Sequence, residues 1–309
     1  MIRRSIPALA AAMIALTACQ NTDQLAPTTE IVSEEVPDFA LAAPPGIMFA
    51  SFELTPAQLN TVHTGIVRWT SPSTFLSYLA SVKAKNGRVL VKLHGDEYLF
   101  RNADGTFNLT KWKTMVDRYK SVNFSSYVND GTIVGHYIID EPMYASRWGG
   151  KIIPQSTVEA MAKYSKGIWP TLTTITNAQP AWLAAWTGTY TYLDAGWAMY
   201  MSNMGGPVDR WAANHVAAAK RKGLGMYGGL NLLNGGNGSS GFHGDYPSRW
   251  AMSAAEVRSY GKALMAQSYL CGFAMWKYKS SYYDRADVKS AMNELATLAR
   301  NHAKTSCRQ

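Results

Sequence analysis

The sharpest chemical signal in the sequence is the run His136-Tyr137-Ile138-Ile139-Asp140-Glu141-Pro142. Two adjacent carboxylates stand directly behind a run of apolar residues. Charge placed there is costly unless it is paired or used. A carboxyl in such a place can act as general acid or base if its surroundings hold it protonated near neutral pH. The alternative is a structural pair bonded to loop amides or to Arg147. Acid–base cleavage with two carboxyl groups also needs a second acid near the first. Glu53, Asp96, Glu97 and Asp245 are candidates for it. Asp140 is another, although neighbouring side chains on an extended segment point to opposite faces.

Chemistry of this kind needs a scaffold, and the surrounding pattern supplies one. From residue 46 onward, short apolar runs alternate with amphipathic stretches. The runs at 46–52, 65–69, 88–94, 132–139, 171–175, 195–200, 225–230 and 271–276 predict strands. The stretches at 71–85, 109–122, 154–167, 180–186, 208–222, 253–268 and 284–302 predict helices. Local signals agree. Pro72 sits just inside a helix start, Gly167 and Gly223 mark stops, and Ser253 with Glu256 reads as a capping box. Strands alternating with helices imply βαβ units and a parallel sheet. Eight such pairs in about 264 residues fit a single (β/α)8 TIM barrel. An open doubly wound sheet would want a glycine-rich phosphate turn after an early strand, and the sequence has none.

In such a barrel the active site lies at the C-terminal ends of the strands. There the chain resembles the glycoside hydrolase barrels. Many of these carry Asn-Glu-Pro at the end of the fourth strand, and Glu141-Pro142 matches the last two residues, with Asp140 in the place of Asn. The resemblance implies that Glu141 is the general acid/base and Asp140 its orienter or partner. Trp276, near the end of the eighth strand, resembles the tryptophan that floors the sugar site in those enzymes. The seventh strand departs from the pattern: Leu230-Asn231 stands where the usual second Glu would be. Glu53 and Asp245 are the replacements considered. The implied substrate is a polysaccharide or oligosaccharide. A non-catalytic carbohydrate-binding or scaffold protein on the same barrel is the alternative.

Further residues fall at strand ends. Trp69, Tyr200, Trp276 and Tyr278 offer aromatic faces on which sugars pack. His94, Asp96, His136 and Asn231 offer polar rims. His94 and His136 could meet Asp96 and Asp140, but no His-x-His or His-Glu-x-x-His spacing is present, so neither a metal nor a cofactor is assigned. A Ser-His-Asp hydrolase lacks its Gly-x-Ser-x-Gly elbow here. The long glycine-rich loop 231–252, with Phe242, Tyr246 and Trp250, reads as a lid over the mouth.

The N-terminus reads as an address. Arg3 and Arg4 precede an apolar stretch at 6–15, too short and too early for an ordinary membrane span. Leu16-Thr17-Ala18-Cys19 resembles a bacterial lipobox. It implies a signal peptide over 1–18, a lipid on Cys19 and a membrane-anchored envelope protein, periplasmic or surface-exposed. Gln20 in place of Asp favours the outer membrane, by resemblance to enterobacterial lipoproteins. Residues 19–45 read as a tether with five acids and neither Lys nor Arg. The barrel domain then spans 46–309. The formal charge is +9 over the whole chain, but from residue 46 onward 28 basic residues face 16 acidic ones. No nucleic-acid recognition motif accompanies that surplus. It points instead to anionic envelope surfaces or acidic glycans, with a monomer expected. Cys271 starts the eighth strand and Cys307 follows the last helix, so both belong at the bottom of the barrel. A disulfide and two free thiols both remain open.

Overall fold

Short apolar runs too brief to be helices form the strands of a closed parallel barrel. They are β1 (Met48–Phe52), β2 (Gly65–Arg68), β3 (Arg88–Val91), β4 (Ile133–Asp140), β5 (Thr174–Asn177), β6 (Ala195–Tyr200), β7 (Gly225–Leu230) and β8 (Leu270–Met275). Each pairs with the next, and β8 closes on β1. This computed structural model describes residues 44–303 and Cys307. The signal segment, Cys19 and the tether up to residue 43 lie outside the described residues. The expected (β/α)8 architecture is the one observed.

Helices α1 (Phe75–Lys83), α2 (Leu109–Asp117), α3 (Ser125–Asn129), α4 (Gln155–Ile168), α5 (Pro180–Ala184), α6 (Val208–Arg221), α7 (Ala254–Met265), α8 (Ser280–Tyr283) and α9 (Ala286–Asn301) accompany the strands. The first strand lacks the helix that eight full pairs require. Residues 53–64 cross from β1 to β2 with only a 3-10 turn, Pro56–Gln58. That length is about the minimum for a parallel crossover, and no α-helix forms within it. The helix expected over 109–122 stops at Asp117, and the short α3 follows it. Strand β5 starts three residues later than its apolar run predicts. Leu172 turns back on Trp169 through a backbone hydrogen bond of 3.0 Å, and Thr176 and Asn177 thereby fall within the strand. The capping box of α7 forms as expected: Glu256 N–H donates to Ser253 Oγ at 3.3 Å, and Ser253 N–H donates to Glu256 Oε2 at 2.8 Å.

The interior of the barrel is filled by rings. Phe52 stacks on Trp197 with centroids 5.4 Å apart, and Tyr137 meets Trp197 edge-on at 5.9 Å. Their bulk needs a neighbour without a side chain. A Cβ on Gly229 would lie 2.1 Å from the carbonyl oxygen of Ala274 and 2.6 Å from Trp197 Nε1. Outside the strands, aliphatic and aromatic side chains such as Ile66, Phe75, Leu79 and Val89 pack beneath the helices. Among the described residues no helix is long and apolar enough to cross a membrane.

At the bottom, Cys271 and Cys307 are joined in a disulfide with their Cα atoms 5.3 Å apart. The bond closes a sequence separation of 36 residues and ties the chain beyond α9 to the sheet. Loop-closure entropy makes such a link worth about 2–4 kcal/mol. Urea unfolding of a Cys271→Ser/Cys307→Ser double variant is expected to show a loss of that size. A variant as stable as wild type would show that the link contributes nothing to stability.

Candidate active site

The site begins with an irregularity in β4. The β4–β5 register pairs Tyr137 with Ile175 and Ile139 with Thr176, so Ile138 has no partner. A bulge of this kind shifts every later side chain by one position. The indole N–H of Trp112, on α2, donates to the skipped Ile138 carbonyl at 2.9 Å and satisfies it. Tyr137 and Asp140, three residues apart, consequently meet. The Tyr137 hydroxyl donates to Asp140 Oδ1 at 2.5 Å, and Asn177 Nδ2 donates to the same oxygen at 2.7 Å.

Asp140 and Glu141 line one cavity, contrary to the expectation of opposite faces. Alternation holds only while the backbone stays extended, and it ends at Glu141, whose φ is 45°. This left-handed conformation is unfavourable for a residue other than glycine. It is held on both sides. Glu141 N–H donates to the Asn177 carbonyl at 3.0 Å, and the Glu141 carbonyl accepts the Trp148 indole N–H at 3.1 Å.

Arg147 gathers the acids. Its Nη1 donates to Glu141 Oε2 at 2.8 Å and its Nη2 to Asp140 Oδ2 at 2.5 Å. The Nε and Nη2 atoms also grip Glu97 at 3.1 and 2.6 Å, and Arg101 reaches Glu97 at 3.0 Å. Three carboxylates thus share two guanidiniums. The balance leaves Glu141 the least stabilised as an anion. Burial, and then the charge of Asp140, raise its pKa against the pull of Arg147, to about 7. Its Oε1 accepts no hydrogen bond among the described residues, so that oxygen is free to hold the proton.

The cavity at the barrel mouth measures about 180 Å³. Asp140, Glu141, Arg147 and Asn177 line it from the β4–β5 side. Asn231, Asn234, Tyr246, Arg249 and Trp276 line it from the β7–β8 side, three strands on in the closed order. Met199 and Met201 complete the wall. An adjoining recess of about 20 Å³ adds Met143, Met204 and Trp197 next to Glu141. These apolar groups account for the desolvation of its carboxyl.

Of the residues expected at the site, Glu141, Asp140, Asn231 and Trp276 come together in this cavity. Glu53 and Asp245 do not line it. Glu53 leaves β1 with a φ of 66°, exposed, and Asp245 is held by Lys277 at 3.1 Å and Lys279 at 3.8 Å. Glu97 is bound up with Arg147. Trp69 lines a separate surface groove of about 560 Å³ with Arg68 and Tyr78. His94 and His136 are fully buried away from the mouth. His136 Nδ1 lies 2.9 Å from Ser165 Oγ, its ring stacks on Trp112, and burial depresses its pKa to about 3. His94 Nδ1 lies 2.9 Å from the Gly95 carbonyl, and burial holds the ring neutral. Asp96 is exposed ahead of the turn that carries Glu97. Tyr200 points outward to Trp211 and Tyr260, because strand alternation sends Trp197 and Met199 inward in its stead. Tyr278 packs on Tyr283 and His63. Among the described residues no group of three or more His, Cys, Asp or Glu could hold a metal ion.

Met199, Met201, Asn234, Tyr246 and Arg249 were not among the expected site residues. Alternation from Trp197 was a usable signal for Met199. In loop 231–252 the aromatic ring of Tyr246 was a usable signal while Asn234 and Arg249 carried none, and the loop does form part of the mouth. Gly236 N–H donates to the Trp250 carbonyl at 2.9 Å, Trp250 stacks on His243 at 4.0 Å, and Asn234 Oδ1 accepts the N–H groups of Asp245 and Tyr246 at 3.1 and 3.4 Å.

Removing Arg147 leaves Asp140 and Glu141 without a cation and Glu97 with Arg101 alone. Arg147→Ala is therefore expected to cost about 2–4 kcal/mol at neutral pH. The loss shrinks below pH 5, where the orphaned acids take up protons and their repulsion vanishes. Unfolding measured from pH 4 to 8 checks this, and a loss independent of pH would show that Arg147 serves packing alone.

No protein-family model and no curated protein matches the chain. Solved structures do. A β-glucanase from Saccharophagus degradans is 9% identical with a TM-score of 0.55, over 83% of this chain and 88% of that one. An endocellulase from Pyrococcus horikoshii in complex with cellotetraose is 11% identical with a TM-score of 0.52, over 83% and 92%. A xylanase from Thermotoga petrophila in complex with xylobiose is 11% identical with a TM-score of 0.51, over 82% and 94%. At these identities the likeness is one of fold alone: the chain shares the (β/α)8 barrel of these three structures.

Proposed function

We propose that this is a glycoside hydrolase-like barrel that acts on polysaccharide or oligosaccharide, with Glu141 as general acid/base. One observation carries the reading. The acid of the fourth strand is presented, with one oxygen free, in a mouth cavity faced by Trp276. The fold shared with polysaccharide-cleaving enzymes supports it. Glu141, protonated up to about pH 7, would donate its proton to the glycosidic oxygen as the bond to the anomeric carbon breaks. The developing positive charge would be met by Asp140, which Tyr137, Asn177 and Arg147 hold as an oriented anion. Water would complete the cleavage, returning a proton to Glu141.

A second reading is glycan binding without turnover. It is favoured by the wall opposite Glu141, which contributes Asn231, Asn234, Tyr246, Arg249 and Trp276 to the cavity but no carboxylate. Usual hydrolysis needs a base or nucleophile there. Screening wild type and Glu141→Gln on a glycan panel separates the two. Under the first reading wild type turns over, Glu141→Gln loses about 100-fold or more in kcat, and wild-type kcat falls as pH rises through about 7. Turnover that survives the substitution removes Glu141 from the acid role. Binding with no turnover in wild type selects the second reading.

The envelope location belongs to the same proposal. A lipid on Cys19 would anchor the barrel while leaving its mouth in the aqueous phase. Cys19→Ser is expected to move the protein from the membrane to the soluble fraction of its host, and unchanged fractionation would overturn the anchor.

A further inference from the structure

The charges around the mouth are matched on one side and unmatched on the other. On the β4 side Arg147 and Arg101 are shared among Asp140, Glu141 and Glu97. On the β7–β8 side the acid of loop 231–252, Asp245, is already held by Lys277 and Lys279. Arg249 lines the cavity from the same loop, is exposed, and forms no ion pair or side-chain hydrogen bond among the described residues. Its place is nonetheless defined. Its N–H donates to the Tyr246 carbonyl at 2.9 Å, and its own carbonyl accepts the Gly244 N–H at 2.9 Å. The next residue, Trp250, is pinned by Gly236 and stacked on His243.

An unpaired guanidinium on a fixed backbone at a ligand cavity is a recognition element for an oxyanion. Its planar fork binds carboxylate or sulfate through two parallel charge-assisted hydrogen bonds. A neutral sugar would merely displace its water. The rim adds two lysines against one aspartate, so the local field favours the same sign of ligand. Arg249 reaches the cavity from the loop after β7, three strands from β4 in the closed order.

We infer that the mouth selects a sugar bearing an anionic group, a uronic acid carboxylate or a sulfate ester, and that Arg249 is the residue that reads it. This rests on the proposal that the mouth is a glycan site and adds the class of glycan. The test is calorimetric titration of wild type, Arg249→Gln and Arg249→Lys against a panel of uronate oligosaccharides, their carboxyl-reduced counterparts and sulfated neutral oligosaccharides. Wild type is expected to bind an anionic member at least about tenfold tighter than its neutral counterpart. That ratio is expected to collapse to within about twofold in Arg249→Gln and to survive in part in Arg249→Lys. Which anionic arm binds tells carboxylate from sulfate. Equal binding of anionic and neutral sugars by wild type overturns the inference and leaves the glycan mouth standing, as does a preference that persists in Arg249→Gln. Binding of no member of the panel by wild type overturns the inference and the glycan site together.

Discussion

The mouth of this barrel depends on one guanidinium. Arg147 touches Glu97, Asp140 and Glu141, which arrive from the ends of two neighbouring strands. Without a cation among them, their charges could not be brought together in a half-buried place. Arg147 shares its hydrogen bonds unequally. Glu97 receives two, while Asp140 and Glu141 receive one each. Asp140 is compensated by Tyr137 and Asn177. Glu141 has no such help and borders a methionine-lined recess. The same cation that permits the cluster therefore leaves one member poised between its two protonation states. Of two adjacent acids, one is held by three donors and the other keeps one oxygen free.

That division of roles needs both carboxyls to face one cavity, and a regular strand would not allow it. Two backbone departures achieve it. The bulge at Ile138 turns Asp140 toward the axis, at the cost of a backbone carbonyl that Trp112 then satisfies. The left-handed turn at Glu141 brings the next side chain to the same side. Both depend on partners from other elements: α2 for the bulge, and β5 and the turn after β4 for Glu141. The strain is local, and the packing that holds it is distributed around the barrel.

The opposite wall follows a different logic. Here the polar groups come from a loop, and loop 231–252 is organised by its own hydrogen bonds and by the stacking of Trp250 on His243. Its acid is neutralised by two lysines from the end of β8, and among the described residues Arg249 forms no ion pair. The cavity is thus polarised: two acids and Arg147 on one side, and on the other an indole face and an arginine with no ion pair among the described residues.

Much of the fold was legible in the amino-acid order. Apolar runs, helical periods and the capping box at Ser253 are local signals. They specified the alternation, the closed barrel and the strand end at which Asp140 and Glu141 stand. The crossover after β1 was shorter than the alternation implied, because a parallel return can be made without a helix. Side-chain direction was less legible. Tyr200 and His94 sit at or near strand ends as expected and His136 lies within β4, yet all three are buried away from the mouth. A single position of register decides between the axis and the helices, and register is set by the neighbouring strand. The partnership of Arg147 with residues 6, 7 and 50 positions away, the disulfide at the bottom and the exposure of Arg249 were likewise decided only in three dimensions. Sequence by itself determined most of the elements and the strand ends at which a candidate site can stand, since both follow from local periodicity and from the polarity of a barrel. Tertiary structure alone decided which side chains face one another, because facing is a property of pairing and packing between segments distant along the chain.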